Sequence, residues 1–194
     1  MKDYEELQGI VKSCRSNIFD ILEAGGIGHS GGSLSVLEIL VALYYEIAKN
    51  NPEDPKWEER DRIVLSKAHA CEAMYAVLGE KGFFPKEQFK EFLKYDSMLQ
   101  GHTEICTPGV EYSGGSLGQG ISFACGLAYS AKLNKKDHKV FCIVHKKHVL
   151  HQILYKNRYN YSLLEIDFLF LLKLGNLAPP KLQEYLYSNL LCIL

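Results

Sequence analysis

The sequence predicts a three-layer α/β fold with a mainly parallel sheet. Two short runs rich in branched apolar residues, 61–66 and 139–144, have the pattern of buried strands. Apolar residues recur at helical spacing before and between these runs, so strands alternate with helices. That alternation is typical of a parallel sheet covered by helices on both faces. Two glycine-rich loops, 25–33 and 112–120, interrupt the pattern.

The helices follow one another along the chain. A first amphipathic helix is predicted to end at Gly25-Gly26, and a second begins where Ser35-x-x-Glu38 has the spacing of a capping box. A third helix is predicted from about Ala70 to Glu80, and a shorter one follows Pro85. The residues that this short helix is expected to bury are Phe89, Phe92 and Leu93.

The composition is that of an ordinary globular protein. The formal net charge of −1 provides no basic field for nucleic acid, and 47% of the 194 residues are hydrophobic. Residues 1–6 are charged where a secreted chain would be apolar, so we expect no secretion signal, no membrane partner and a cytoplasmic location. Six cysteines without a C-x-x-C pair predict reduced, mostly buried thiols. They are Cys14, Cys71, Cys106, Cys125, Cys142 and Cys192.

The glycine loop 112–120 leads directly into an apolar helix. Four glycines within 114–120 allow close approach of a ligand to the backbone, and the first N–H groups of the helix favour an anion. The alternative is a tight turn before a buried helix. A nucleotide site is disfavoured, because Phe123 stands where G-x-G-x-x-G needs its third glycine. In the apolar helix that follows this loop, the residues that recur at helical spacing are Ile121, Ala124, Cys125, Ala128 and Ala131.

Three histidines lie in separate loops. His29 is in the first glycine loop, His69 follows the first strand, and His102 is in the long irregular stretch 95–113. Ligands of open α/β sheets bind at the carboxyl ends of the strands, where His69 is expected. A single loop histidine is more often a surface or hydrogen-bonded residue than a functional one. Three of them in glycine-rich or irregular loops favour a functional site.

Four motifs, in this order, resemble the N-terminal segment of transketolase. The resemblance covers about residues 5–144 and is greatest to forms whose enzyme is split into an N-terminal and a C-terminal subunit. The motifs are Gly28-His29-Ser30-Gly31-Gly32, Asp61-Arg62-Ile63-Val64-Leu65-Ser66-Lys67-Ala68-His69-Ala70, Gly101-His102-Thr103-Glu104 and Gly114-Gly115-Ser116-Leu117-Gly118-Gln119-Gly120. The implied fold is the thiamine diphosphate-binding type, incomplete at its C-terminal part.

The resemblance implies transfer of a two-carbon ketol unit between sugar phosphates with thiamine diphosphate as cofactor, in the pentose phosphate pathway of carbohydrate metabolism. On the family pattern, His69 contacts the diphosphate, while His29 and His102 line the substrate channel and act on its hydroxyls or reacting oxygen. Gly115 presents its carbonyl to the aminopyrimidine ring, and Leu117 packs against that ring. Taken without the resemblance, Leu117 would be expected in the core.

The resemblance stops after the second strand. The family has Gly-Asp-Gly there, and with a later asparagine it holds Mg²⁺ or Ca²⁺; this chain has His145-Lys146-Lys147. Two lysines oppose a hard cation, so no metal ligand is assigned, and neither Asp167 nor Asn176 is given that role. His145, His148 and His151 share no helical face, which disfavours a metal site.

The sequence therefore divides into a partial thiamine diphosphate-binding domain, 1–144, and a divergent tail, 145–194, with no strand expected to complete the sheet. The simplest hypothesis is a frameshifted, truncated or joined reading frame. The resemblance implies a subunit that is inactive alone, because the catalytic glutamate belongs to a pyrimidine-binding domain on a C-terminal partner subunit. A homo-oligomer is also expected. The alternative is a non-catalytic α/β remnant or binding protein that lost metal and cofactor binding.

Sequencing the gene from the codon of Val140 downstream tests the frameshift hypothesis. We expect that inserting or deleting one or two bases restores Gly-Asp-Gly directly after Val144. A reading frame in which no such change restores the motif would contradict the hypothesis.

Overall fold

The structure of this chain is a computed structural model that describes residues 3–145 and 167–170. Its sheet has strands β1 (Arg62–Leu65), β2 (Val140–His145) and β3 (Asp167–Phe170) in that spatial order. The two predicted strands pair in parallel, as expected, whereas β3 pairs antiparallel with β2. The expectation that the tail contributes no strand is wrong for β3. Its pairing satisfies backbone groups at the edge of β2 that would otherwise be unpaired.

Helix α1 (Tyr4–Gly25) is the predicted long amphipathic helix. Asp3 caps its first turn by accepting the N–H of Glu6 at 2.8 Å. It ends at Gly26, which takes the left-handed conformation with φ of 67° and donates its N–H to the carbonyl of Leu22. The buried apolar residues on its inner face are Leu7, Val11, Cys14, Ile18 and Ile21.

Helix α2 (Ser30–Leu34) begins within the first glycine loop, 25–33. Helix α3 (Leu37–Ala42) follows, and a π-helical turn, Leu43–Ile47, extends α3. The predicted capping box between Ser35 and Glu38 is wrong. Ser35 Oγ donates to the carbonyl of Gly32 and accepts from the buried Lys67 Nζ at 2.6 Å. Glu38 instead pairs with Arg15 of α1 at 2.6 Å. Tertiary partners thus replace the local cap.

Helix α4 (Cys71–Lys81) is the central helix of the domain and continues from a 3₁₀ turn at Ala68–Ala70. Its residues from Cys71 to Gly79 are all buried, so it has no solvent face over that length. A second 3₁₀ helix, Lys86–Glu91, is the short helix predicted after Pro85. Leu93 was expected in the core but is 37% exposed, because its backbone turns into the left-handed region with φ of 63°.

Helix α5 (Gln119–Leu133) covers the opposite face of the sheet. Residues of β1 and β2 alternate between two cores, one under α1, α3 and α4 and one under α5. Ile63 and Phe141 enter the first core, whereas Val64 and Cys142 pack with Ala124 in the second. The predicted three layers are confirmed.

The inner face of α5 is built from small residues. Its buried positions are Gly120, Ala124, Ala128 and Ala131. Cys125, predicted on this face, is exposed. Gly120 lies against the end of β1, so that a Cβ there would be 2.7 Å from the Cα of Ser66. Only glycine allows this approach between helix and strand.

Three of the five described cysteines, Cys14, Cys71 and Cys142, are buried, and all five are free thiols. Burial raises the pKa of Cys14 and of Cys142 to about 12. These thiols are therefore protonated at neutral pH and unreactive. Within the described residues, no helix is both long enough and apolar enough to cross a bilayer.

Glu80 joins α4 to two neighbouring elements. Ser13 Oγ and Asn17 Nδ2 of α1 donate to its Oε2 at 2.9 and 2.7 Å, and Lys86 Nζ donates from the second 3₁₀ helix. Partial burial acts to raise the pKa of Glu80, but these hydrogen bonds outweigh it and hold the pKa below its ordinary value.

We expect Gly120→Ala to lower the free energy of unfolding by about 1–3 kcal/mol, because the added methyl group meets backbone that cannot move away. Gly126→Ala is the matched control, since Gly126 lies on the exposed face of the same helix with open space around its Cα. That control should leave the free energy of unfolding unchanged or raise it by up to about 1 kcal/mol. Denaturant unfolding measures both, and equal losses would contradict the packing argument.

Glu80→Gln should lower the free energy of unfolding by about 1–2 kcal/mol at neutral pH. The pKa of Glu80 is lower in the folded than in the unfolded chain, so its contribution is complete above the unfolded-state pKa. It is lost as pH falls through the folded-state pKa. The difference between wild type and variant should therefore disappear in acid.

The exposed Glu91, paired with Lys94, supplies the control Glu91→Gln, which should change stability little at any pH. Urea unfolding at a series of pH values measures all three proteins. A stability difference for Glu80→Gln that persists undiminished in acid would argue against the network.

Candidate functional site

The three predicted histidines meet at one edge of the sheet. The ring centroid of His29 is 5.6 Å from that of His69 and 6.3 Å from that of His102. The side chain of His29 is 51% exposed, while the other two are partly buried. Loops far apart in sequence therefore bring three imidazoles to one solvent-accessible place.

His69 is placed by the end of β1. The chain leaves the strand at Leu65 and turns through the 3₁₀ turn Ala68–Ala70, which contains His69. Gly32 of the first loop lies against the ring, because a Cβ on Gly32 would be 3.1 Å from Cδ2 of His69. This is the carboxyl edge of the parallel strands, as the sequence predicted.

His29 is placed by a carboxylate that sequence analysis missed. Glu72 on α4 has no exposed surface; its Oε1 accepts the backbone N–H of His29 at 2.7 Å, and its Oε2 accepts from Ser33 Oγ at 2.6 Å. Gly28 permits this approach, since a Cβ there would collide with Oε1. The available signal was one acidic residue inside the otherwise apolar run of α4.

His102 is placed by a tyrosine that was also missed. The hydroxyl of Tyr75 on α4 lies 3.0 Å from the carbonyl oxygen of Gln100 and 2.8 Å from that of His102. Burial raises the pKa of Tyr75, so the hydroxyl remains a protonated donor. The following residue, Thr103, accepts the N–H of Gly114 at its carbonyl, 2.8 Å away. The second glycine loop is thereby held beside His102.

The glycine loop reaches the same edge. Gly114 packs on Ala68, and a Cβ at Gly114 would collide with the Cβ of that residue. Gly118 takes a left-handed conformation, with φ of 89°, at the start of α5. A Cβ on Gly115 would meet open space, and Leu117 is 50% exposed, so the expectation that Leu117 lies in the core is wrong. Both residues assigned to the cofactor ring therefore face accessible space.

The donors at this edge fit an anionic cofactor group. Ser66 Oγ, at the carboxyl end of β1, is buried and has no hydrogen-bond partner among the described residues. A buried hydroxyl of that kind calls for a further partner. The imidazoles at this edge provide N–H donors, which suits a diphosphate. The three histidines and the glycine loop together fit thiamine diphosphate.

The family pattern also implies a metal ion, Mg²⁺ or Ca²⁺, at this site. Residues 3–145 and 167–170 contain no group of three or more His, Cys, Asp or Glu side chains that could hold a metal ion. At the position where the family has Gly-Asp-Gly, this chain has His145-Lys146-Lys147, and a lysine side chain offers no oxygen ligand for Mg²⁺ or Ca²⁺. His148 and His151, considered for a metal, lie outside the described residues, as does Asn176.

Comparison with known proteins gives one consistent relationship. The family described as transketolase, thiamine diphosphate binding domain, matches residues 7–151. An apulose-4-phosphate transketolase subunit of Phocaeicola vulgatus is 40% identical over 130 residues, 67% of this chain and 46% of that protein. The 6-deoxy-6-sulfo-D-fructose transketolase subunit SqwG of a Clostridium species is 42% identical over 120 residues, 61% of this chain and 44% of that protein.

A solved structure agrees with these relatives. Transketolase from Campylobacter jejuni matches with a TM-score of 0.73 and 34% identity, covering 80% of this chain and 26% of that one. This chain spans less than half the length of each of the three proteins. The family match over most of the chain, together with its four motifs and its fold, makes it a member of the transketolase family that contains the thiamine diphosphate-binding domain.

Proposed function

We propose that this chain is the N-terminal subunit of a transketolase-like enzyme that transfers a two-carbon ketol unit between sugar phosphates. The observation that carries the proposal is the meeting of His29, His69 and His102 beside a glycine loop at the carboxyl edge of β1. The relatives named as transketolase subunits support a two-subunit arrangement. We propose a cytoplasmic location and a role in carbohydrate metabolism through the pentose phosphate pathway.

Each site residue has a proposed role. His69 donates a hydrogen bond to the cofactor diphosphate, and the carbonyl of Gly115 and the side chain of Leu117 hold its aminopyrimidine ring. His29 and His102 hydrogen-bond the hydroxyls or the reacting oxygen of the substrate and can exchange protons with them. Thiamine diphosphate, when bound, supplies the carbanion stabilisation.

The protein is proposed to be inactive alone. The catalytic glutamate of the family belongs to a pyrimidine-binding domain, so a C-terminal transketolase subunit is required, and the family arrangement favours a homo-oligomer of the pair. Its substrates are proposed to be sugar phosphates. One relative is named for apulose-4-phosphate and another for a sulfo-sugar, which identifies the substrates of those proteins only.

A second candidate is a non-catalytic α/β protein that kept the fold and lost the metal and the cofactor. It is favoured by His145-Lys146-Lys147 in place of Gly-Asp-Gly and by the lack of a metal-binding group among the described side chains. We propose the division into a partial domain, 1–144, and a divergent tail, 145–194. The end of the family match at residue 151 supports a boundary in this region.

Titration of the full chain with thiamine diphosphate tests the proposed function. We expect saturable binding, and we expect His69→Ala to weaken it about tenfold, or about 1.4 kcal/mol, because a charge-assisted hydrogen bond is lost. His102→Ala should weaken it less, since only His69 is assigned a cofactor contact. Calorimetry with and without Mg²⁺ measures the affinities.

His138→Ala is the control. His138 precedes β2, at the end of the sheet opposite the three histidines, so its replacement should leave the affinity unchanged. Equal losses for His69→Ala and His102→Ala would overturn the assignment of His69. Absence of binding to the wild-type chain, combined with retained binding to a C-terminal transketolase subunit, would favour the second candidate.

A further inference from the structure

One helical segment, a 3₁₀ turn followed by the start of α4, contains His69 and contacts the loops that carry His29 and His102. His69 lies in the 3₁₀ turn that continues into α4, and Glu72 and Tyr75 follow at intervals of three residues. Residues three apart on a helix lie near one another on its surface. The segment thus contains His69 itself. It also carries one buried polar side chain that bonds to the loop of His29 and another that bonds to the loop of His102.

The stability of the fold does not by itself require a carboxylate at the position of Glu72. A buried carboxylate is costly unless hydrogen bonds satisfy it, and an apolar side chain would suit the surrounding core. Both oxygens of Glu72 instead accept from the loop that carries His29, one from its backbone N–H and one from Ser33. Oε1 also lies 4.0 Å from the ring Nδ1 of His29.

Tyr75 forms comparable hydrogen bonds to the irregular stretch that carries His102. Its side chain is fully buried, and its only polar group meets the carbonyl oxygens of Gln100 and His102. One hydroxyl proton is shared between two acceptors, so the hydroxyl fixes the backbone on both sides of Gly101. The loop could otherwise rotate about that glycine, since glycine restricts the backbone least.

We propose that Glu72 and Tyr75 are positioning residues, which hold His29 and His102 against His69 so that α4 sets the geometry of all three imidazoles. The catalytic meaning of this proposal rests on the proposed function, whereas the geometry does not. Rigid placement by supporting hydrogen bonds is what a site of convergent histidines requires. Neither residue touches the substrate or the cofactor in this account.

Nuclear Overhauser contacts between imidazole ring protons test the geometry in the full chain without cofactor. Single His→Gln variants assign the resonances. In the wild type, His29 should show a contact to His69 and a contact to His102. Glu72→Leu should lose the His29–His69 contact, whereas Glu72→Gln should keep it, because the amide oxygen still accepts the N–H of His29 and Ser33 can reverse its hydrogen bond.

Glu80→Gln is the matched control for Glu72, because it removes a carboxylate from the same helix away from the histidines, and it should keep both contacts. If Glu72→Leu does not fold, Gly28→Ala is the second variant. Its Cβ would collide with Cδ2 of Leu22 and with Oε1 of Glu72, so the backbone at residue 28 should move away from the carboxylate and the same contact should be lost. A retained His29–His69 contact in folded Glu72→Leu, or in Gly28→Ala, would overturn the role of Glu72.

For the irregular stretch that carries His102, the test variant is Tyr75→Phe, which should lose the nuclear Overhauser contact between His29 and His102. Tyr44→Phe is its control, because Tyr44 is equally buried and donates to the carbonyl of Gly109 in the same irregular stretch. A His29–His102 contact that survives Tyr75→Phe, or that is lost equally in Tyr44→Phe, would overturn the role of Tyr75. Because no cofactor is present, these outcomes are independent of whether thiamine diphosphate binds.

Discussion

The buried carboxylate of Glu72 is the interaction on which the candidate site depends. Burying a polar group is costly unless hydrogen bonds replace its lost hydration, so moving away the loop that supplies those bonds would destabilise the fold. The donors are the backbone N–H of His29 and the hydroxyl of Ser33, both in the first glycine loop. Gly28 of that loop follows from this constraint, since a side chain there would collide with the carboxylate. Both oxygens of Glu72 are therefore satisfied when His29 and Ser33 are in place.

At the amino ends of the strands, a second set of contacts anchors part of the long loop between the second 3₁₀ helix and α5. Asp61 accepts the backbone N–H groups of Lys49 and Lys139 at 2.8 and 2.6 Å, which joins the starts of β1 and β2. Arg60 then forms a bidentate pair with Glu111, with both distances 2.9 Å. The irregular stretch that contains His102 is thus tied at its far end to the strand that leads to His69. An irregular loop can position a functional group when both of its ends are fixed in this way.

Much of the fold could be predicted from the sequence because its signals are local or periodic. The apolar runs of β1 and β2, the stripe of α1 and the glycine that ends it all have the expected structure, and the motif histidines do meet. Features that depend on tertiary partners could not be predicted. Ser35 bonds to Lys67 instead of capping a helix, and a single glutamate in an apolar helix does not reveal which loop will cover it. β3 lies in a stretch without clear alternation, and only the open edge of β2 explains its pairing.

The three histidines and the second glycine loop are proposed to form the binding site for thiamine diphosphate. A crystal structure of the full chain grown with saturating thiamine diphosphate and Mg²⁺ tests this proposal most directly. The account predicts the diphosphate within hydrogen-bond distance of His69 and the aminopyrimidine ring against Gly115 and Leu117, with His29 and His102 facing the reactive end of the cofactor. Cofactor bound elsewhere on the chain, or no bound cofactor at saturation, would contradict it.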